Sequence, residues 1–392
     1  MTKPTRKRGN GEGSVRKLPS GRFRFEIMIE GTRHSGMADS KTAAQQALSK
    51  LIADATRGGV VDPSAETLTE YLTRWLAGRE KARAVRTHEI QADLLQRFIT
   101  PTIGNRRLQK LAPADLRRLF DHLNKENLGA SSQRQVHQLL ISALGDAFRL
   151  ELVTRNVAEI VKPAPLRGKE RKGLPAYTAE EAAQFLKAAK EDWRGAFFIF
   201  ALSTGMRRGE VAGLRWQDVN LEKGTAEVTE IVAAASKGPI VTTPKTKGSR
   251  RTVYLSPDTV TLLREVQADQ AVQREALAGP VKGHSKGYER KRVWAESGRI
   301  FTNSYGATLD PHNLKRDMER ICDQAGVRHL PIHGLRHTYA SLSLRRGVPV
   351  ELVSKQLGHA SVAFTLTQYR TVFQSEREGW ALNLSDLLEG KK

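Results

Sequence analysis

The sequence predicts a multidomain α+β protein with three folded parts. The first is a small three-stranded sheet with one helix, the second is a helical bundle, and the third is a mainly helical domain with a small antiparallel sheet. Three observations predict these parts: apolar residues alternate with polar ones at 22–29, apolar stripes of helical spacing run from 68 to 158, and helical and strand patterns mix from 175 to 375.

The first part is predicted for residues 1–62, and its first ten residues form a basic arm. Ser40 is a suitable N-cap for a helix whose apolar stripe covers 44–55. Arg22 and Arg24 fall on the polar face of the middle strand, where they suit either a DNA groove or ordinary solvent. The expected strands span residues 13–18, 22–29 and 33–38.

The second part, residues 65–162, is predicted as a bundle of four helices with short polar joints. Thr67 is a candidate N-cap for the first helix, and Pro113 suits the first turn of the third. Basic side chains give the bundle a candidate DNA-binding face, with Arg86 and Arg134 as the main candidates.

A stretch rich in Pro, Gly and basic residues, 163–174, predicts an extended linker before the third part. Residues 175–375 then open on a capping-box signal formed by Thr178 and Glu181. The residues from 279 to 289 are polar and predict a loop. The expected helices span 193–203, 208–215, 257–277, 311–325, 335–346 and 350–357, and the expected strands span 224–234, 240–243 and 251–255.

The charge of the chain points to a polyanionic partner. Lys and Arg number 64 against 42 Asp and Glu, a net charge of +22. Nucleic acid is favoured because each neutralised phosphate releases bound counterions. An acidic membrane surface is the rival, but the sequence has neither a basic amphipathic helix nor a lipidation signal.

Compartment signals favour the cytoplasm. The chain has 1 cysteine, Cys322, so no disulfide can form within it, which fits a reducing compartment. No apolar run follows the basic N-terminus as it would in a secretory signal. The longest apolar run, 196–202, is too short to span a bilayer and predicts a buried helix.

The first chemical motif is Thr-Gly-Met-Arg-Arg-Gly-Glu at 204–210. The Thr-Gly pair is expected to end one helix, so that Arg207 stands at the N-terminus of the next. A cation there does not favour its own helix, and the backbone N–H groups at such an end bind anions. Glu210 is positioned to brace the Arg207 guanidinium. An ordinary pair of surface arginines is the alternative.

The second motif is a basic hairpin, Pro-Lys-Thr-Lys-Gly-Ser-Arg-Arg, at 244–251. Lys245 is the candidate proton donor, because a lysine among other cations has a lowered pKa. Lys247 is a second candidate for that role and, with Arg250, a candidate DNA-binding residue. A basic loop that only touches phosphates is the simpler interpretation.

The third motif, His-Gly-Leu-Arg-His at 333–337, opens a helix. His333 and Arg336 are three residues apart and share a face. His333 and His337 have the spacing of a metal-binding pair, but the glutamate and a third ligand of such a motif are missing. The sequence therefore predicts no metal and no cofactor.

The fourth motif is Leu-Gly-His at 357–359, followed ten residues later by Tyr369. A lone tyrosine is most often a packing residue. Together, however, these groups suit an in-line attack on a phosphodiester. Two arginines would stabilise the charge of the transition state, histidines would accept a proton or bind the phosphate, and Tyr369 would be the nucleophile. The candidate catalytic residues are Arg207, Lys245, His333, Arg336, His359 and Tyr369.

In order and spacing, these residues resemble the Arg…Lys…His-x-x-Arg…His/Trp…Tyr signature of the tyrosine recombinases, or phage-integrase family. Gly334 is a minor departure, since relatives often carry Asp there. The resemblance implies a site-specific DNA recombinase of a phage or mobile element that joins a 3′ phosphate to Tyr369. It also implies an arm-site DNA-binding domain at 1–62, a core-binding domain at 65–162 and a catalytic domain at 175–375.

The resemblance further implies double-stranded DNA with core and arm sites as the substrate, a homo-tetramer on DNA, and a directionality factor or DNA-bending protein as a partner. The tail, 376–392, resembles a helix that packs on a neighbouring protomer, although it could instead fold back on its own domain. Two alternatives to a recombinase stay open. One is a type IB topoisomerase, which uses a similar residue set. The other is a DNA-binding regulator that has lost catalysis.

Overall fold

A computed structural model describes residues 13–29, 32–56, 64–80, 84–163, 175–236, 238–244, 249–278 and 293–369. The chain divides into two compact units, Met1–Arg167 and Gly168–Lys392. Among the described residues, no helix is both long and apolar enough to cross a membrane. Several predicted features lie outside the described residues: the basic arm, most of the linker, Lys245 and Lys247, the loop at 279–289, and the tail at 376–392.

The first unit begins with the predicted sheet and helix. Three antiparallel strands in the order β1-β2-β3 are followed by one helix. The Ser40 hydroxyl accepts a hydrogen bond from the Ala43 N–H at 3.1 Å, as expected of an N-cap. Phe25 pairs with Gly36 across the sheet, and a Cβ on Gly36 would lie 2.4 Å from the Phe25 ring. The elements are β1 (Ser14–Lys17), β2 (Phe23–Ile29), β3 (Thr32–Ala38) and α1 (Lys41–Thr56).

The bundle of the first unit contains the four predicted helices, an extension of the second and a further short helix at its end. Thr67 and Glu70 form a full capping box at the first helix. The second helix continues through a π-helical segment, Leu95–Ile99, into a further turn. Its helices are α2 (Leu68–Gly78), α3 (Val85–Leu94), α4 (Thr100–Ile103), α5 (Pro113–Lys125), α6 (Ala130–Arg149) and α7 (Val157–Ile160).

The second unit is mainly helical, and its described residues include two small antiparallel sheets, of order β4-β5-β8 and β6-β7. The Thr178–Glu181 capping box is present. Its helices are α8 (Ala179–Glu191), α9 (Gly195–Thr204), α10 (Arg208–Gly213), α11 (Pro257–Ala278), α12 (Leu314–Ala325), α13 (His333–Arg345), α14 (Val350–Leu357) and α15 (Val362–Gln368). Its strands are β4 (Val219–Asn220), β5 (Thr225–Glu227), β6 (Ile231–Ala235), β7 (Gly238–Thr242) and β8 (Thr252–Tyr254).

The prediction of a single strand at 224–234 is wrong. The chain forms β5 in one sheet and β6 in the other, with a break at 228–230. Glu230 lies in this break and binds Arg215 at 2.8 Å and Arg299 at 2.7 Å. These ion pairs anchor the carboxylate at the break, and the described residues form two small sheets in place of the one expected.

The central helix of the second unit, α9, positions the first chemical motif. It is apolar on all sides and buries Phe197, Phe198 and Phe200 in the core. It ends at Gly205, which has a left-handed φ of 66°. A Cβ on Gly205 would lie 2.5 Å from the Tyr339 ring, so α13 packs directly on this turn. The tight turn brings the Arg207 region against α13.

Candidate active site

Arg207 is the N-cap of α10, at the position the sequence predicts. Its backbone N–H donates to Glu210 Oε2 at 2.9 Å, and its Nη1 donates to Glu210 Oε1 at 2.7 Å. Its Nη2 donates to the Gly358 carbonyl oxygen at 3.4 Å. The Arg207 side chain is still 38% exposed, so it remains open to a ligand while Glu210 braces it.

Glu210 is completely buried and binds a second arginine that the sequence analysis missed. Arg251 Nη2 lies 2.8 Å from Glu210 Oε2, and Arg251 Nη1 lies 3.2 Å from Oε1. Burial by itself would raise the pKa of Glu210, but the hydrogen bonds and charge of Arg251, followed by those of Arg207, hold it below its usual value. Glu210 is therefore a carboxylate shared by two guanidinium groups.

Arg336 on α13 is nearly inaccessible, with 2% of its surface exposed. Its Nη1 donates to the Gly205 carbonyl oxygen at 2.9 Å, and its Nη2 donates to the Leu357 carbonyl oxygen at 2.7 Å. Burial, and then the charge of Arg207, lowers the pKa of Arg336 to about 9, which still leaves it charged at neutral pH. The two bonds hold the guanidinium between the turn after α9 and the end of α14.

The two predicted histidines lie close to these cations. Burial, and then the charges of Arg336 and Arg207, lowers the pKa of His333. The same causes lower the pKa of His359 to about 4. His359 Nδ1 lies 2.7 Å from the Thr365 hydroxyl. Both rings are thus uncharged at neutral pH, a state in which each has one donating and one accepting nitrogen.

Tyr369 follows α15 and is buried, with 2% of its surface exposed. It packs in a small apolar cluster with Leu344, Val353 and Leu357. Its hydroxyl lies 2.9 Å from His337 Nδ1. Burial raises the pKa of Tyr369 to about 12, against the opposing charge of Arg336. The phenol is therefore protonated at neutral pH, next to an arginine that favours its anion.

His337 is the second residue that the sequence analysis did not assign to the site. Its ring contacts the His333 ring edge-to-face, with centroids 4.8 Å apart. Burial, and then repulsion from a protonated His333 and from Arg336, lowers its pKa to about 4. The sequence signal for His337 is its i, i+4 spacing from His333, which is also the spacing of a metal-binding pair. Among the described residues, no group of three or more His, Cys, Asp or Glu side chains could hold a metal ion.

The structure therefore brings five of the six predicted catalytic residues together in the second unit. Arg207 and Arg336 bind adjacent carbonyl groups at 357–358, and the charges of both act on His333 and His359. Lys245 lies outside the described residues. An open cavity of about 660 Å³ adjoins Arg207 and His333, with Lys315 and His329 also in its wall. A substrate can thus approach the two catalytic candidates at this wall.

The predicted DNA-binding arginines lie at or near the surface. Arg22 binds Asp39 at 2.9 Å with 52% of its side chain exposed, and Arg86 pairs with Glu89 at 3.4 Å with 51% exposed. Arg24 donates to the Ser35 hydroxyl at 3.5 Å. The remaining described candidates are the exposed Arg134 and Arg250, and Lys247 lies outside the described residues.

Comparison with known proteins decides the family. Residues 176–376 match the model of the phage integrase family. The chain belongs to this family. It is 29% identical over 381 residues to an integrase of Streptomyces ambofaciens, and the match covers 93% of each chain. This phage-integrase family member is accordingly a tyrosine recombinase, an enzyme of site-specific DNA recombination.

Two solved structures show the same fold. An integrase of the Tn1549 transposon in complex with a circular intermediate DNA matches with a TM-score of 0.63 and 15% identity, over 80% of this chain and 99% of that one. A lambda integrase tetramer bound to a Holliday junction matches with a TM-score of 0.53 and 16% identity, over 88% and 95%. These matches support the α+β multidomain fold predicted from the sequence.

Proposed function

We propose that this recombinase cuts DNA by attack of Tyr369 on a phosphodiester held by Arg207 and Arg336. The observation that carries the proposal is the meeting of both arginines at the carbonyl groups of 357–358, with Tyr369 packed against Leu357 of the same turn. Paired guanidinium groups suit the non-bridging oxygens of a phosphate and the charge that grows on them.

In the proposed step, a bond forms between Tyr369 Oη and phosphorus while the bond from phosphorus to the 5′ oxygen breaks. The phenol proton passes to an imidazole of the His333–His337 pair, since His337 Nδ1 lies 2.9 Å from Oη and the two rings touch. Lys245 gives a proton to the departing 5′ oxygen, and His359 donates a hydrogen bond to the phosphate. The product is a 3′-phosphotyrosine and a free 5′ hydroxyl, which the reverse reaction can rejoin.

The outer parts of the chain are proposed to hold the DNA. Residues 1–62 would bind accessory arm sites through Arg22 and Arg24, and the bundle at 65–162 would bind the core site through Arg86 and Arg134. By analogy with the lambda integrase tetramer on a Holliday junction, four copies would exchange strands, with the tail at 376–392 packing on a neighbour. A directionality factor or DNA-bending protein would set the direction, and the enzyme would work in the cytoplasm.

Removal of residues 1–60 tests this division of labour. We expect the shortened protein to cleave an isolated core site at a rate close to that of the full chain. Integration between two complete sites should fall, because the arm contacts would be missing. Cleavage and integration measured on the same preparation separate the two effects, and equal loss of both would contradict an arm-site role.

A nicked suicide DNA substrate tests the proposed chemistry. The DNA that flanks the gene supplies the probe, as inverted repeats around a short crossover sequence. We expect a covalent protein–DNA adduct with this site and none with a scrambled site. Tight DNA binding without any adduct would indicate a regulator that has lost catalysis. Relaxation of a supercoiled plasmid that lacks the site would indicate the topoisomerase alternative.

A further inference from the structure

The Glu210 carboxylate binds Arg207, although Arg207 is itself proposed to bind the anionic phosphate. Its side chain has no exposed surface, and both of its oxygens are occupied. Arg207 donates to it from the backbone and from Nη1, and Arg251 donates from Nη1 and Nη2. Arg251 itself keeps only 7% of its side chain exposed. Arg251 is therefore not placed to bind DNA directly, although its neighbour Arg250 is exposed.

The charges of this cluster show what the second arginine changes. Arg207 and Glu210 alone would sum to zero, and a buried carboxylate would compete directly with a phosphate for the Arg207 guanidinium. With Arg251 the three groups carry a net charge of one positive unit. Because Arg251 occupies one side of the carboxylate with two hydrogen bonds, Glu210 can orient Arg207 without neutralising the cluster.

Arg251 also fixes the parts of the backbone that the site uses. Its Nε donates to the Gln356 carbonyl oxygen at 2.7 Å. A Cβ on Gly358 would lie 2.9 Å from the Arg251 side chain, so Arg251 packs against the turn whose carbonyl group binds Arg207. One side chain thus ties the strand after the basic hairpin, the Glu210 carboxylate and the end of α14 to each other.

We propose that Arg251 is a positioning residue for strand cleavage, which neutralises Glu210 so that Arg207 keeps its positive charge for the scissile phosphate. This inference rests on the proposed function. It predicts that loss of Arg251 slows the chemical step rather than DNA binding. It also predicts that the defect comes from the Glu210 charge, so that removing this charge should repair part of it.

The test is a four-way comparison of the wild type, Arg251→Met, Glu210→Gln and the double variant, with single-turnover adduct formation on the suicide substrate as the readout. We expect Arg251→Met to slow adduct formation by about 100-fold, the size of effect seen when one transition-state donor is lost. DNA affinity should change by less than about threefold, because Arg251 does not reach the surface. The double variant should be at least about tenfold faster than Arg251→Met, since the neutral amide that replaces the carboxylate would no longer hold Arg207 by charge.

Controls keep the result interpretable. Arg264→Met removes one charge from an exposed ion pair of the same unit and should leave the rate unchanged. Arg251→Lys is measured alongside, and it takes the place of Arg251→Met if that variant does not fold. Lysine keeps the charge without the paired hydrogen bonds, so its rate should lie below that of the wild type and above that of a folded Arg251→Met.

Two outcomes would overturn the inference: a folded Arg251→Met that cleaves normally, or a double variant no faster than Arg251→Met. In both, the wild type still forms its adduct, so the proposed function survives. If the wild type forms no adduct on any flanking DNA, the proposed function fails first. Thermal unfolding of each variant shows whether it is folded at the assay temperature.

Discussion

Two buried tyrosines, one in each unit, have similar exposure but different hydrogen-bond partners. Tyr71 on α2 is 1% exposed and Tyr369 is 2% exposed. Burial raises the pKa of each hydroxyl to about 12. The Tyr71 hydroxyl donates to the Ala143 carbonyl oxygen at 2.7 Å, whereas the Tyr369 hydroxyl lies 2.9 Å from His337 Nδ1. A carbonyl oxygen does not act as a general base, whereas an imidazole nitrogen has a lone pair that can accept the phenol proton during a reaction.

The charges near the two rings also differ, and they have opposite effects on the pKa of the two hydroxyl groups. After burial, the main influence on Tyr71 is Asp146, which raises its pKa further. The corresponding influence on Tyr369 is Arg336, which lowers its pKa. For Tyr71, both burial and the Asp146 charge therefore oppose ionisation of the hydroxyl. For Tyr369, burial opposes ionisation but the Arg336 charge stabilises the phenolate. Under the proposed function, we therefore expect the reactivity of Tyr369 to come from the surrounding charges and not from exposure of the ring.

The largest difference between the two tyrosines should appear on removal of each hydroxyl. We expect Tyr369→Phe to reduce covalent adduct formation below detection, because no other group can form the phosphotyrosine bond. Tyr71→Phe should form the adduct at the wild-type rate. Gel-shift titrations should show equal DNA affinity for both variants, and comparable losses of adduct in both would erase the distinction.

The next largest effect is expected at Arg336, whose charge distinguishes the two rings. Arg336→Gln should slow adduct formation by about 10³-fold, since a buried charge next to the reacting oxygens is lost. Arg336→Lys should recover little of this, because one ammonium cannot reproduce bonds to both the Gly205 and Leu357 carbonyl groups and still bind a phosphate. Single-turnover kinetics measure both variants, and a fully active Arg336→Lys would argue against this geometry.

A smaller effect is expected on the stability of the protein in acid, through His337, the hydrogen-bond partner of Tyr369. The pKa of His337 is about 4 in the folded protein, because of burial and nearby charge, against an ordinary value of 6.5. The unfolded chain therefore takes up the proton first, and stability is lost as the pH falls from about 6.5 towards 4. Urea unfolding across this range should show a smaller acid-induced loss in His337→Phe than in the wild type. An identical pH profile for both would contradict the lowered pKa.

The smallest effect is expected at the first tyrosine. Tyr71→Phe leaves the Ala143 carbonyl oxygen without its hydroxyl donor and should lower the free energy of unfolding by about 1 kcal/mol. Denaturant unfolding of the full chain measures this change in the transition of the first unit. A loss of catalysis without a loss of stability would reverse the roles assigned to the two rings.

Local patterns predicted the features that depend on neighbouring residues. The capping boxes at Thr67 and Thr178, the left-handed Gly205 and the Arg207 N-cap all follow from residues within one helical turn. The Arg207–Glu210 contact was predictable for the same reason, since the pair is three residues apart. The family signature supplied the remaining candidates of the site, and the structure brings four of them, His333, Arg336, His359 and Tyr369, together with Arg207.

Contacts between distant positions were not predictable in this way. Arg251 lies 41 residues from Glu210, and His337 lies 32 residues from Tyr369. No pattern in the sequence marks Arg251 as the buried member of its Arg-Arg pair and Arg250 as the exposed one. The break between β5 and β6 also involves a distant contact, because Glu230 binds Arg299, which lies 69 residues further along the chain. These features depend on tertiary packing, which periodicity does not report.

The identity of the amino acid that becomes linked to DNA is the decisive measurement for Tyr369 as the nucleophile. A wild-type adduct trapped on a suicide substrate can be digested with protease and nuclease, and the peptide that carries the nucleotide can be sequenced by mass spectrometry. We expect a single modified residue, Tyr369, joined to the 3′ phosphate of the cleaved strand. A nucleotide on Tyr71 or any other side chain, or attached through a 5′ phosphate, would contradict it.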